Sequence, residues 1–374
     1  MTFVDGLTKA TRAVAFMLPL LGFGAAVHAA QVEDVLGRKV SVPDHVQRVV
    51  LGEGRLFYAM AVLDKYAPFQ RIVGWQNDLR LLDAKTFDTY VAQYPEAAQI
   101  PLIGQSSEQS VSVESILKLK PDLAVFSISG HGPTQHSPVA DVLEKAGVPV
   151  VFVDFRVKPV EGTRRSFQLL GKALDRESQA SEFLKFYDAH LKRVTDAVAP
   201  LPQASRPKVF MELLAGVWQA PGHTTGTGGM GEFIETAGGR NIAAGVVPGA
   251  LGDVSVEYVL KLDPDVYIAS GNRKPGVLLG AQVSQDEARE SLAKLLTRPE
   301  FSPLRAIRSG RAHGLWHEFY NSPYNILAIE SLAKWLHPDL FKDLDPKETE
   351  RELYARFLPV ADTGTYWVDA PAAP

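Results

Sequence analysis

The chain has 374 residues, a formal net charge of -4, 46% hydrophobic and 22% charged residues, and no cysteine. That length exceeds one small core and calls for two domains or one large one, and the absence of any long basic run argues against nucleic acid as a partner. Zero Cys removes disulfides, thiolate-held zinc, iron–sulfur clusters, thiol nucleophiles and a lipid-bearing Cys.

Residues 1–30 read as a secretory signal peptide. Lys9 and Arg12 supply a positive region, residues 13–27 are largely apolar, and Val27-His28-Ala29-Ala30 offers small residues for cleavage after Ala29 or Ala30. A membrane anchor is the alternative, but the stretch is shorter than the roughly 20 residues of a span. The mature chain is expected outside the cytoplasm, as a soluble monomer. It divides into an N-terminal α/β lobe (31–160), a connecting helix (161–199) and a C-terminal α/β lobe (200–374).

The strongest internal signal is a repeat. VSVESILKLKPDLAVF at 111–126 returns as VSVEYVLKLDPDVYIA at 254–269. The separation is too long for a solenoid unit and suits two lobes of one design. In each copy a Ser (Ser112, Ser255) can cap a short helix whose first turn carries a Glu (Glu114, Glu257). A Pro (Pro121, Pro264) then stops the helix, and an apolar run follows as a buried strand at 123–126 and 266–269. Further strands are expected at 48–51, 71–75, 149–153, 208–213 and 311–315, and helices at 139–146, 230–237 and 326–336. Alternation of this kind implies mostly parallel sheets in both halves. Residues 161–199 hold no Pro and two Gly, with apolar positions on helical spacing. They read as one strut of about 35 residues, roughly 50 Å long. Two helices with a turn near Asp175 are the alternative. The tail from 369 is expected to fray.

These features together resemble the periplasmic binding proteins of ATP-driven importers for ferric siderophores, haem and cobalamin. The opening Asp34-Val35-Leu36-Gly37-Arg38, the Glu114–Asp122 pattern ending Leu-Lys-Pro-Asp, and Gly238-Gly239-Arg240-Asn241-Ile242-Ala243 carry the resemblance. It implies two α/β lobes bridged by one long helix, a periplasmic location, and a ligand in the cleft between the lobes. It also implies that Glu114 and Glu257 dock on Arg residues of the two subunits of an ABC permease. Charge-assisted contacts of this sort give register and encounter rate. The plainer reading is that both Glu merely favour their helix dipoles.

Parallel sheets bind ligands beyond the carboxyl ends of their strands. That rule selects loops 52–58, 75–78, 127–132, 154–156, 215–218, 270–274 and 316–320. Their candidate ligand contacts are Arg55, Trp75, His131, Arg156, Trp218, Arg273, Trp316, Phe319 and Tyr320. Aromatic area and guanidinium forks suit a large, flat, anionic ligand. By resemblance that ligand is a ferric siderophore, with iron held by the chelator and no metal or cofactor held by the protein. Haem or cobalamin is the alternative; haem would need an axial His or Tyr such as His131, His313, His317 or Tyr320. His313 and His317 are four apart, but the residues around them read as strand. The glycine-rich segment 222–231 lacks the Gly-Lys-Ser/Thr of a P-loop, and no Gly-x-Ser-x-Gly elbow or His-Glu-x-x-His appears. An exported ferric-chelate reductase or siderophore hydrolase therefore lacks visible machinery, and the chain does not read as an enzyme.

Overall fold

The computed structural model describes residue 2, residues 29–218 and residues 220–370. The expected signal peptide falls almost wholly outside these residues, as do the last four residues of the tail. The described chain opens with a hairpin, β1 (Ala29–Glu33) paired antiparallel with β2 (Lys39–Pro43). Both expected cleavage positions lie in the first two residues of β1.

The N-terminal lobe is a five-stranded parallel sheet. Its strands are β3 (Val49–Leu51), β4 (Ile72–Gln76), β5 (Leu102–Gly104), β6 (Leu123–Ser127) and β7 (Val150–Val153), in the order β5-β4-β3-β6-β7. Helices α1 (Phe57–Leu63), α2 (Asp78–Leu82), α3 (Ala84–Gln93), α4 (Val113–Lys118) and α5 (Pro138–Lys145) connect them. Every residue of β6 and β7 is buried, as continuous apolar runs in a parallel sheet require.

A helix pair follows, α6 (Pro159–Ala173) and α7 (Glu177–Val198). The single strut expected from the sequence is thus corrected to two helices. Asp175 adopts φ 54 between them, a left-handed conformation that Asp tolerates better than most residues. The turn is sharp. Phe167 and Phe183 would stand about 24 Å apart along one straight helix, yet their rings stack at 4.3 Å. The longer of the two, α7, spans about 33 Å between the lobes, and α6 also reaches the C-terminal lobe, where Thr163 accepts from Asn325 Nδ2 at 3.0 Å. Near the start of α7 Arg176 Nε meets Asp64 Oδ1 of the N-terminal lobe at 2.7 Å. Farther along, Tyr187 donates its hydroxyl to Asn325 Oδ1 at 2.8 Å and His190 pairs with Glu330 at 2.8 Å, both in the C-terminal lobe.

The C-terminal lobe repeats the plan. Its strands are β8 (Lys208–Glu212), β9 (His223–Thr224), β10 (Arg240–Asn241), β11 (Gly252–Asp253), β12 (Val266–Gly271), β13 (Ala312–Trp316) and β14 (Trp367–Asp369). Along the main path they run β11-β9-β8-β12-β13-β14, and β10 pairs with β8. The central strands β8, β12 and β13 are parallel; β9, β11 and β14 are antiparallel additions. The helices are α8 (Met230–Thr236), α9 (Val256–Leu262), α10 (Gln285–Leu296), α11 (Arg305–Arg308), α12 (Asn325–Leu336) and α13 (Pro346–Phe357). The duplicated motifs become α4–β6 and α9–β12. In both, the Ser caps the helix: Ser112 Oγ accepts from Ser115 N at 3.1 Å and Ser255 Oγ from Tyr258 N at 3.2 Å. Contrary to the expected fraying, Asp369 ends β14 and accepts from His313 Nδ1 at 2.7 Å.

Candidate functional site

In each sheet the strand order reverses beside the first strand of the lobe, between β3 and β6 and between β8 and β12. Such switch points open a crevice at the carboxyl ends of the strands. The crevices of the two lobes meet in a polar network centred on Arg55, which follows β3 and is buried. Arg55 Nε donates to Asp78 Oδ2 at 2.9 Å within its own lobe. Its Nη1 crosses to the other lobe, reaching Glu318 Oε2 at 2.6 Å and Tyr320 Oη at 2.8 Å. Asn272 crosses in the opposite direction, donating to Leu82 O at 3.1 Å, and within its own lobe donates to Glu318 Oε1 at 2.8 Å.

A second guanidinium stands beside the first. Arg156, after β7, grips the Glu53 carboxylate with Nη1 at 3.2 Å and Nη2 at 2.8 Å, and donates to Ser129 O at 2.8 Å. It also lies over the Tyr320 ring, 4.9 Å from the centroid, in cation–π range. Gly130 is required here. Its φ is +149, and a Cβ would run into Arg156 and Glu53.

Burial acts first against ionisation of every acid in the network, and the neighbours decide the outcome. Glu53 and Glu318 are held below the ordinary carboxylate range because arginine attraction outweighs burial. Burial, with Glu53 adding repulsion, pushes Asp78 up. Asp83 is pushed up to about 6 by burial and by Glu318. Burial drives His317 down to about 4, so its imidazole is neutral near pH 7 and accepts or donates through Ser270 Oγ at 2.9 Å.

A cavity of about 40 Å³ lies between the lobes at this point. It has room for about three waters. Its polar wall is Ser129, Arg156, Thr225, His317 and Tyr320; its apolar wall includes Leu213, Met230, Ala250 and Leu251. Two donors make no hydrogen bond to the protein: Arg156 Nε and Arg55 Nη2 are both buried, and Arg55 Nη2 has only an ion pair with Glu53 Oε2 at 3.5 Å. Tyr320 Oη accepts from Arg55, which leaves its own proton to give.

Of the nine expected contacts, Arg156 and Tyr320 line the cavity and Arg55 stands directly behind it. His131 flanks it, its N donating to Glu53 Oε1 at 3.1 Å and its ring to or from Ser106 O at 3.1 Å. Trp75 is corrected to core: it is buried in the N-terminal lobe among Phe57, Phe69 and Phe87. Trp316 and Phe319 are corrected likewise. They pack on each other and on Tyr366, with Tyr58 of the other lobe on the Trp316 face. They seal the lobe contact and present no free ring. Trp218 is 52% exposed and Arg273 bonds its neighbour Asn272; both stand outside the cavity wall. His313 stacks on Trp335 at 4.3 Å and is tied to Asp369, away from His317. Sequence reasoning missed Thr225, whose hydroxyl pins the glycine-rich segment by donating to Gly228 O and accepting from Gly231 N, both at 2.9 Å. The carboxylates that organise Arg55 and Arg156 were missed as well. Glu114 and Glu257 lie outside the cleft, exposed near the starts of α4 and α9, with Glu114 also 2.7 Å from Lys118.

Comparison with known proteins agrees with this geometry. The molybdate-binding protein MolA of Haemophilus influenzae is 26% identical over 92% of this chain and 95% of its own. The Fe(3+)-citrate-binding protein YfmC of Bacillus subtilis is 24% identical over 62% of this chain and 64% of its own. Among solved structures, the TroA-like periplasmic binding protein FepB from Veillonella parvula superposes with a TM-score of 0.80 at 25% identity, covering 91% of this chain and 99% of that one. These relatives are binding proteins, not enzymes. The profile of the periplasmic binding protein family matches residues 65–315, and the chain belongs to that family, the solute-binding components of ABC importers.

Proposed function

We propose that the chain captures a compact tetrahedral oxyanion of the molybdate class in the inter-lobe cavity and delivers it to an ABC permease. The observation that carries this reading is a pair at one place: a cavity of about 40 Å³ and a buried Arg156 Nε with no acceptor. A four-oxygen anion is an acceptor-only ligand of about that size, and charge-assisted bonds to it are among the strong ones. Tyr320 adds a hydroxyl whose proton is free to give. Similarity to a molybdate-binding relative along nearly the whole chain points the same way. The test is calorimetric titration of the purified protein with molybdate, tungstate and sulfate, each repeated on Arg156→Gln. One-to-one binding lost in the variant supports the reading, and no heat from any oxyanion sinks it.

A second reading keeps the ferric siderophore expected from the sequence. It is favoured by the apolar wall, where Leu251 is exposed at the rim, and by similarity to an Fe(3+)-citrate binder. A chelate of several hundred Å³ requires the lobes to part and the Arg55–Glu318 pair to break. Export through residues 1–30 and docking through Glu114 and Glu257 complete the proposal. The two exposed carboxylates, at equivalent places in related lobes, match a partner made of two related subunits.

A further inference from the structure

The C-terminal lobe has a second concave site at the opposite end of its sheet. It is lined by residues that enter the strands rather than leave them: Arg206 before β8, Arg240 at the start of β10, Asp265 before β12 and Arg311 before β13, joined by Arg305 and Ser309. Its volume is about 400 Å³, within the ordinary range for ligand sites.

Its charge is not balanced by the protein. Arg305 is spoken for, with Nη2 2.7 Å from Asp265 Oδ1 and Nε 3.3 Å from Asp263 Oδ2. Arg206, Arg240 and Arg311 have no carboxylate partner among the described residues. Arg311 Nη2 reaches Trp335 O at 3.2 Å, while Nε of Arg311 and Nε of Arg206 are buried with no acceptor. Like charges gathered in one hollow repel, and buried guanidinium N–H groups left unmade are costly. Their field is felt nearby: burial lowers the His337 pKa first, and Arg206 and Arg311 lower it further.

We propose that this pocket binds a multivalent phosphate-type oxyanion, such as a pyrophosphate or phosphate-ester group. Planar guanidinium forks match phosphate oxygens, and the volume exceeds what a single small anion fills. The group can belong to a free metabolite or to a lipid headgroup. The site does not rest on the reading of the cleft, which lies at the other end of the strands.

The test uses Arg206→Gln combined with Arg240→Gln, since neither side chain makes a hydrogen bond or ion pair in the fold among the described residues. Wild type and variant are titrated with pyrophosphate by calorimetry, and both are sedimented with vesicles of phosphatidylcholine with and without cardiolipin. Unchanged binding of the transported ligand at the cleft, or an unchanged melting curve if that ligand is still unknown, certifies the variant's fold. Pyrophosphate binding that weakens at least about tenfold in the variant supports a free anion. Cardiolipin-dependent sedimentation lost in the variant supports a headgroup. Failure of wild type to bind either probe, or equal binding by wild type and variant, overturns the proposal.

Discussion

Replacing Asp83 by Asn should change how stability depends on pH. Asp83 precedes α3, is buried, and accepts the Tyr58 hydroxyl at 2.6 Å. Burial, then Glu318, raises its pKa from 3.8 to about 6. Below pH 4 the acid is protonated both folded and unfolded and nothing is lost. Between about 4 and 6 the folded chain keeps a proton that the unfolded chain has released, so stability falls as pH rises. Above 6 both states are ionised and the full cost is present, on the order of 3 kcal/mol. Asn accepts the same hydroxyl and cannot ionise. Urea unfolding of wild type and Asp83→Asn at pH 4, 5, 6, 7 and 8 should therefore give curves that agree at the acid end and diverge by up to about 3 kcal/mol at pH 8, with the variant the more stable. Taking the difference removes the other titrating groups. Parallel curves, or a wild type that gains on the variant as pH rises, would refute the reasoning.

Other perturbations separate core, network and surface. Trp75→Ala should cost about 3–5 kcal/mol in urea unfolding and leave the dissociation constant of the folded protein unchanged; a cleft contact would show the reverse. Arg55→Met leaves Asp78 and Glu318 buried without their partner and should cost about 3–5 kcal/mol, with a lowered melting temperature as the readout and a smaller loss in Arg55→Lys. Glu114→Ala combined with Glu257→Ala removes two exposed carboxylates, so stability should move by less than about 0.5 kcal/mol. Ligand affinity should persist while uptake in a complemented cell is abolished; loss of ligand binding would show that the two Glu belong to the cleft.

The sheets were legible because their chemistry is local. β6, β7 and β12 are short apolar runs bounded by Pro or Gly, and the Ser caps and stopping Pro of the duplicated motif mark its helix without tertiary help. The bend in the connector was legible only as the alternative of a turn near Asp175. Periodicity places Phe167 and Phe183 on apolar faces whether the helix is one or two, and the left-handed residue that breaks it is an Asp rather than a Gly. β14 was hidden for another reason: three residues in a short tail acquire their strand from pairing with β13. Within the site, strand direction located the right loops but not the faces of their side chains. Trp75, next to last in β4, and Trp316, last in β13, still turn into the packed interior. The arginines could be picked out by type, whereas their carboxylate partners could not: Glu53 and Asp78 reach Arg55 and Arg156 through the folding of the N-terminal lobe, and Glu318 reaches Arg55 only when the lobes meet. The size of the cavity depends on that meeting as well, and composition carries no measure of it.

The most direct test is a competitive ligand panel on the purified protein, read by native mass spectrometry: molybdate, tungstate, sulfate, ferric citrate, a ferric siderophore, haem and cobalamin. One equivalent of a tetrahedral oxyanion should bind, resist displacement by the larger ligands, and be lost in Arg156→Gln. Saturable one-to-one binding of a siderophore, haem or cobalamin, with none of any oxyanion, would contradict a cleft built around the unpartnered Arg156 donor.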